Sequence, residues 1–372
     1  MELRLARLPL VRPFRTSFGV ETEKEVIYVR VDTGAAAGWG ECVAGTLPDY
    51  SDEFNEAAWI VLRDHLAPFL LGRDVEPEQV GPLVASVRGH RMAKAVLEMA
   101  VLDVWLRERN VSLASYLGAT RERVACGVSI GITETTEELL EQVDAYLSDG
   151  YQRIKLKIAP GVDVERVRAV REANRDIALS VDANAAYSLD DAAALRALDE
   201  FELLMIEQPL PHDDLVQHAE LQKSLATPIC LDESIKSAAD AGAAIGLGAC
   251  RIINIKQGRV GGLLEARRIH DIAERAGVPV WCGGMLETGI GRAGNLSLAA
   301  LPGFTLPGDT SASRRYFADD ISEPFEMEPD GTMAVPDGPG LGVEPRPERL
   351  EACTVRVERV VRGARSKAGG TD

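Results

Sequence analysis

The chain of 372 residues exceeds one ordinary domain, and its 46% apolar and 27% charged residues describe a globular protein with room for a large barrel and a smaller module. Its formal net charge of −17 argues against nucleic-acid or anionic-membrane partners, which reward clustered Lys and Arg, but leaves open a small anionic substrate at a locally positive site. No stretch approaches the roughly 18 consecutive apolar residues of a membrane span, and the opening "MELRLARLPLVRPFRTSFG" lacks a signal peptide's apolar core, so a cytoplasmic protein is expected.

In chain order, residues 1–45 alternate like strands ("EVIYVRV"), and 52–118 read as helices, the clearest being "RMAKAVLEMAVLDVWLRER". Together they predict an α+β capping domain over 1–120. From 124 onward, short apolar runs ("VACGVSI", "RIKLKI", "IALSVDAN", "LLMIEQP", "PICLDES", "RIINIK", "VPVWCGG", "GFTLPGD") alternate with Ala-rich amphipathic stretches. Such alternation implies βαβ units and a parallel sheet. The polar residues that end successive runs, Lys157, Asp182, Glu207, Asp232 and Lys256, lie 25, 25, 25 and 24 apart. Further steps reach Gly283–Gly284 and Asp309. Eight units of that length predict a closed (β/α)₈ TIM-type barrel over 121–320, whose chemistry belongs at the C-terminal ends of the strands. Residues 321–360 return to the cap, with a hairpin turn at "PDG" (329–331), and 361–372 read as a disordered tail.

Six cysteines are widely spaced with no C-x-x-C, and five histidines form no H-E-x-x-H, so reduced core thiols are expected rather than disulfides or a zinc site. His212 falls in a loop and reads as solvated.

On the barrel, Asp182, Glu207 and Asp232 end strands 3, 4 and 5. Three carboxylates in phase at one rim repel one another unless a hard divalent cation such as Mg²⁺ compensates them. Lys157 and Lys256 end strands 2 and 6, four apart in an eight-membered ring and therefore opposed across the mouth. A lysine serves as a base only if its pKa falls from roughly 10.4 toward neutrality. Lys155, on the same face of "RIKLKI", supplies a like charge to Lys157, and Arg259 does the same for Lys256. A metal flanked by bases on both faces suits removal of a proton beside a carboxylate. "GIGRAG" matches G-x-G-x-x-G but neither follows its strand directly nor precedes a ribose-binding acid. It reads instead as a helix N-terminus holding a substrate carboxylate.

Read together, "KLKI", "VDANAAY", "LLMIEQPL", "PICLDES", "NIKQGRVGG" and "WCGGMLETGIGRA" resemble the muconate-lactonizing subgroup of the enolase superfamily, and within it the o-succinylbenzoate synthase/N-succinylamino acid racemase family. The resemblance implies Asp182, Glu207 and Asp232 as Mg²⁺ ligands, with Mn²⁺ or another divalent cation able to substitute. It implies Lys157 and Lys256 as opposed acid/base residues, the latter holding an enediolate by a cation–π contact in the synthase reaction. Lys155 and Asn184 would support carboxylate and metal, Ser129, Gly284 and Leu286 would meet a succinyl-bearing substrate, and Phe18 and Tyr50 lie in cap loops that close over it. The implied reactions are dehydration of 2-succinyl-6-hydroxy-2,4-cyclohexadiene-1-carboxylate, a menaquinone-pathway step, racemization of N-succinylamino acids, or both, in a homo-oligomer. Related alternatives are less well served. Dipeptide epimerases carry Asp-x-Asp after strand 8, where "LPGDTSAS" offers Asp309 alone, and muconate cycloisomerization lacks support in "GGMLETGIG". A non-catalytic binding protein is disfavoured because every chemical residue is present.

Overall fold

The computed structural model describes residues 1–16, 19–161 and 163–361. Phe18 and all of the expected tail but Val361 lie outside them. The first sheet is antiparallel, with β1 (Glu2–Arg15), β2 (Val20–Asp32) and β3 (Ala37–Cys42) in sequence order, and the last strand, β13 (Thr354–Arg359), pairs with β1. Period-two alternation sends Ile27 and Val29 of β2 into one core with Trp59, Leu62 and Leu97, and sends Val26 and Tyr28 into the core shared with the barrel. Alternation ordinarily leaves one face wet, but here both are covered.

Helix Arg91–Glu108 fills the space between the two modules: Met92, Val96 and Ala100 join the cap core, while Met99, Leu102 and Leu106 join the barrel core. Its backbone packs directly on β3, where a Cβ on Gly40 would run into the Val96 carbonyl and one on Gly38 into the Val104 amide. Neither backbone can move without opening a core. Gly40→Ala is therefore expected to cost about 3 kcal/mol of stability, read as a lowered denaturation midpoint.

The second sheet is parallel and runs in strict order: β5 (Gly127–Ile130), β6 (Arg153–Lys157), β7 (Ala178–Asp182), β8 (Ile206–Glu207), β9 (Ile229–Leu231), β10 (Ile252–Ile255) and β11 (Val280–Cys282). The eighth position is not a regular ladder strand. Segment 303–309 closes the barrel through two parallel bridges, Phe304 to Val280 on one side and Gly308 to Cys126 on the other. Pro307 has no N–H to give a longer ladder. A short strand before β5, β4 (Arg123–Ala125), pairs with β12 (Thr332–Ala334), so the returning chain covers the end of the barrel opposite the strand C-termini. The turn at 329–331 forms, with Gly331 at φ +76° and Met327 bridging Met333. The fold is an α/β barrel of (β/α)₈ type beneath an α+β cap. All six cysteines are buried free thiols, and no helix among the described residues is long and apolar enough to cross a membrane.

Candidate active site

β6 carries three cations on its inner face, two residues apart: Arg153, Lys155 and Lys157, with side-chain exposures of 0%, 3% and 9%. They rise in layers along the barrel axis. Lys157 and, one layer deeper, Lys155 both line the cavity at the mouth, whereas Arg153 does not. Lys155 Nζ meets Glu207 (2.7 Å), Asp309 (3.0 Å) and Asp182 (3.2 Å) and lies 4.7 Å from the centre of the Trp281 ring. Arg153 lies lower still, on Asp309 at 2.7 Å. Burial pulls Lys155 down, but its three carboxylates outweigh that and hold its pKa above the usual lysine range.

The mouth is organised by strand ends. β7 and β8 pair Asp182 with Glu207, and Asp232 follows β9 directly. All three carboxylates are buried. Lys157 Nζ donates to Asp182 Oδ2 at 2.7 Å and to Asn184 Oδ1, while Asn184 Nδ2 donates to Glu233 Oε1 at 2.9 Å. Across the ring, Lys256 Nζ donates to Asp232 Oδ2 at 2.7 Å, and Arg259 pairs with the other oxygen of Asp232. Strand order places Lys157 and Lys256 four strands apart. From the cap, Tyr50 comes down onto Lys256: its hydroxyl accepts from Nζ at 3.1 Å, and Nζ lies 4.8 Å from the ring centre.

The electrostatics follow from this pairing. Burial raises Asp182, but Lys157 and Lys155 overcome it and hold the carboxyl well below its usual range. Burial, then the Asp182 charge, pushes Glu207 up, and the same two causes push Glu233 up. For Lys256, burial acts downward but Tyr50 and the carboxylates Glu207 and Glu233 act upward and prevail. The expected depression of Lys256 is thus reversed in this state, because its neighbours are mainly acids and Arg259 spends its charge on Asp232.

The donors suit a hard divalent cation: three buried carboxylates on consecutive strands, with the buried Glu233 Oε2 beside them lacking any hydrogen-bond partner. The expected convergence is nonetheless incomplete. The oxygens of Asp182, Glu207 and Asp232 do not all lie within 4.8 Å of one another; Lys155 stands between the first two and Lys256 against the third. A cation must draw those oxygens away from the ammonium groups. The one compact His/carboxylate group among the described residues, His270, Asp271 and Glu274, is on an outer helix. There the His270 ring bonds Asp271 and the Gly303 amide and stacks on Phe304.

Ser129, Asn184, Gly284, Leu286 and Tyr50 line one cavity of about 90 Å³ that opens to solvent between barrel and cap. Ser129, beside Lys155 in the sheet, presents a buried hydroxyl without a hydrogen-bond partner. Gly284 leaves the cavity open where a Cβ would come within 2.8 Å of the Asp309 carbonyl. Leu286 holds a left-handed backbone (φ 57°), a strain a leucine seldom carries away from a site. His212 is exposed and borders a neighbouring cavity with Glu233 and Lys236.

Sequence reasoning passed over Arg153, Glu233 and Asn254, whose amide donates to Glu207 Oε1 at 2.7 Å. Arg153 could have been found, since it continues the two-residue spacing of Lys155 and Lys157. Glu233 could not, because it follows the strand where the chain bends and alternation no longer tells direction. The reading of "GIGRAG" is corrected. The amides that open helix Gly289–Ala299 are taken by the protein's own acids: Glu41 of β3 accepts from Thr288 (2.9 Å) and Gly291 (2.7 Å), and Asp320 from Gly289 (3.0 Å). Burial pushes the Glu41 carboxyl up to about 8.

The family model for the mandelate racemase/muconate lactonizing enzyme N-terminal domain matches residues 2–118, and that for the enolase C-terminal domain-like family matches 138–349. An N-succinylamino acid racemase of Amycolatopsis sp is 57% identical over 356 residues, covering 95% of this chain and 96% of that protein. An o-succinylbenzoate synthase of Geobacillus kaustophilus is 49% identical, covering 95% and 94%. The crystal structure of an enolase-superfamily member from Listeria innocua superposes with a TM-score of 0.93 at 42% identity, covering 97% of this chain and 98% of that one.

Proposed function

The chain belongs to the mandelate racemase/muconate lactonizing enzyme family of the enolase superfamily, and from that premise we propose that it removes the proton beside a substrate carboxylate, as an o-succinylbenzoate synthase, an N-succinylamino acid racemase, or both. The observation that carries this reading is the opposition of Lys157 and Lys256 across a rim of three carboxylates, inside one cavity under the cap. Asp182, Glu207 and Asp232 would hold Mg²⁺. When bound there, the cation would act as a Lewis acid toward the substrate carboxylate and would take up the carboxylates that now hold the lysines.

The chain's own groups do the rest. One lysine takes the α-proton from its face of the substrate and the other returns a proton to the opposite face, which inverts the centre. In a dehydration, Lys157 takes the α-proton and passes it to the departing hydroxyl, which leaves as water, while Lys256, kept charged, faces the developing anion. Asn184 orients Lys157 through its side-chain oxygen, and Tyr50 orients Lys256. The cap covers them and narrows their access to water. The acids Asp182, Glu207, Asp232, Glu233 and Asp309 balance the bases Arg153, Lys155, Lys157, Lys256 and Arg259 one for one. One divalent cation therefore adds two positive charges to this barrel-rim set, which suits an anionic substrate.

A dipeptide epimerase reading is weaker, because the carboxylate of Asp309 already serves Arg153 and Lys155 and is not free to hold a substrate ammonium. The deciding experiment measures kcat/KM for the cyclohexadiene carboxylate, several N-succinylamino acids and a dipeptide on one preparation. Turnover of the dipeptide alone would overturn the proposal. Tyr50→Phe keeps the ring over Lys256 and deletes its hydroxyl, so kcat is expected to fall by roughly 3- to 10-fold with KM little changed. An unchanged kcat would remove Tyr50 from the positioning of Lys256.

A further inference from the structure

β2 sends Val26 and Tyr28 toward the barrel, and period two places Lys24 next in the same row. Where the row leaves the core it enters the cavity of Lys157 and Lys256. Lys24 lines that cavity on the cap side, together with Phe14, Leu47 and Tyr50. Its side chain is only 5% exposed, yet its one charged partner among the described residues is Glu21, at 4.0 Å and 41% exposed. A pair that long with a solvated partner returns little of the cost of burying an ammonium group. The buried cations of the barrel rim differ: Arg153, Lys155, Lys256 and Arg259 each hold a carboxylate at 3.0 Å or closer, and the buried Arg292, on helix Gly289–Ala299, is held by the Ser311 and Glu287 carbonyls. Glu53, also on the cavity wall, is committed to the amides of Met92 and Ala93.

We propose that Lys24 anchors the second carboxylate of the substrate, the one remote from the reacting carbon. This rests on the functional reading above and deepens it: the cavity would accept dicarboxylates whose far end reaches from the barrel rim to β2. The rim holds the reacting carboxylate, and Lys24 measures the distance to the other. Acyl groups that end in a methyl leave the ammonium buried without its partner and are discriminated against.

The test compares an N-succinylamino acid with the N-acetyl derivative of the same amino acid, in wild type, Lys24→Gln and Lys24→Arg. Lys24→Gln is expected to lower kcat/KM for the succinyl substrate by roughly 10- to 100-fold, mainly through KM. That loss should exceed the loss on the acetyl substrate by at least tenfold, and Lys24→Arg should restore most of it. Equal losses on both substrates, including complete loss through misfolding, would assign Lys24 a structural role and overturn the proposal, as would no loss. Wild-type enzyme that turns over no succinyl-bearing substrate would overturn the functional reading itself. Wild-type preference for the succinyl substrate that survives in Lys24→Gln would overturn the anchor alone.

Discussion

With an N-succinylamino acid in D₂O, Lys157→Ala is expected to stop exchange of the α-proton from one enantiomer, and Lys256→Ala from the other. The ring geometry leads to this result: β6 and β10 are four strands apart, so each ammonium addresses one face of a carbon held between them. General acid–base catalysis by a positioned side chain is worth about 10²–10⁴-fold. Each variant should therefore lose at least about 10³-fold in racemization, which needs both lysines, while keeping exchange from one hand of the substrate. Proton NMR of each enantiomer separately checks it. Arginine at either position keeps the charge but cannot deprotonate, so Lys256→Arg should retain more synthase activity than Lys157→Arg. If either alanine variant exchanged both enantiomers at wild-type rates, the two-base reading would be wrong.

Removal of divalent metal is expected to abolish turnover, and Mg²⁺ to restore it. Asp182, Glu207 and Asp232 are buried together, and in this structure they are balanced by Lys155, Lys157, Lys256 and Arg259. A lysine held by a carboxylate keeps its proton, and a base must not. Binding can also be read without activity. A ligand at 100 times its dissociation constant stabilises the folded state by about 2.7 kcal/mol, enough for a melting shift of several degrees. Mg²⁺ should raise the melting temperature of the wild-type protein, and Asp232→Asn or Glu207→Gln should remove that shift together with turnover. Full activity after rigorous metal removal, with no melting shift on adding Mg²⁺ back, would sink the ligand assignment.

Much of the site was legible before any coordinates. A repeat near 25 residues is a local property: each unit needs one strand, one helix and two short connections, so its phase marks every strand end. That phase singled out Lys157, Asp182, Glu207, Asp232 and Lys256, and strand counting put the lysines on opposite sides. The alternation in "RIKLKI" likewise assigned Lys155 and Lys157 to one face. The even spacing of apolar runs foretold the barrel, although not that its last member would close by two bridges around Pro307.

What the chain order could not decide was who meets whom across the two modules. Whether Lys256 is raised or lowered depends on burial together with Tyr50, Glu207 and Glu233, groups 23 to 206 residues away in sequence. The amides of the "GIGRAG" helix look available from sequence, yet Glu41, 250 residues earlier, occupies one of them. Lys24 reads as one charge among many in "VETEKEVIYVRV", and only the docking of β2 against the barrel makes it buried, poorly paired and directed at the cavity. Periodicity reports the direction of a side chain relative to its own strand. Burial and pairing, which set charge state and selectivity, arise from what the other module brings to that direction.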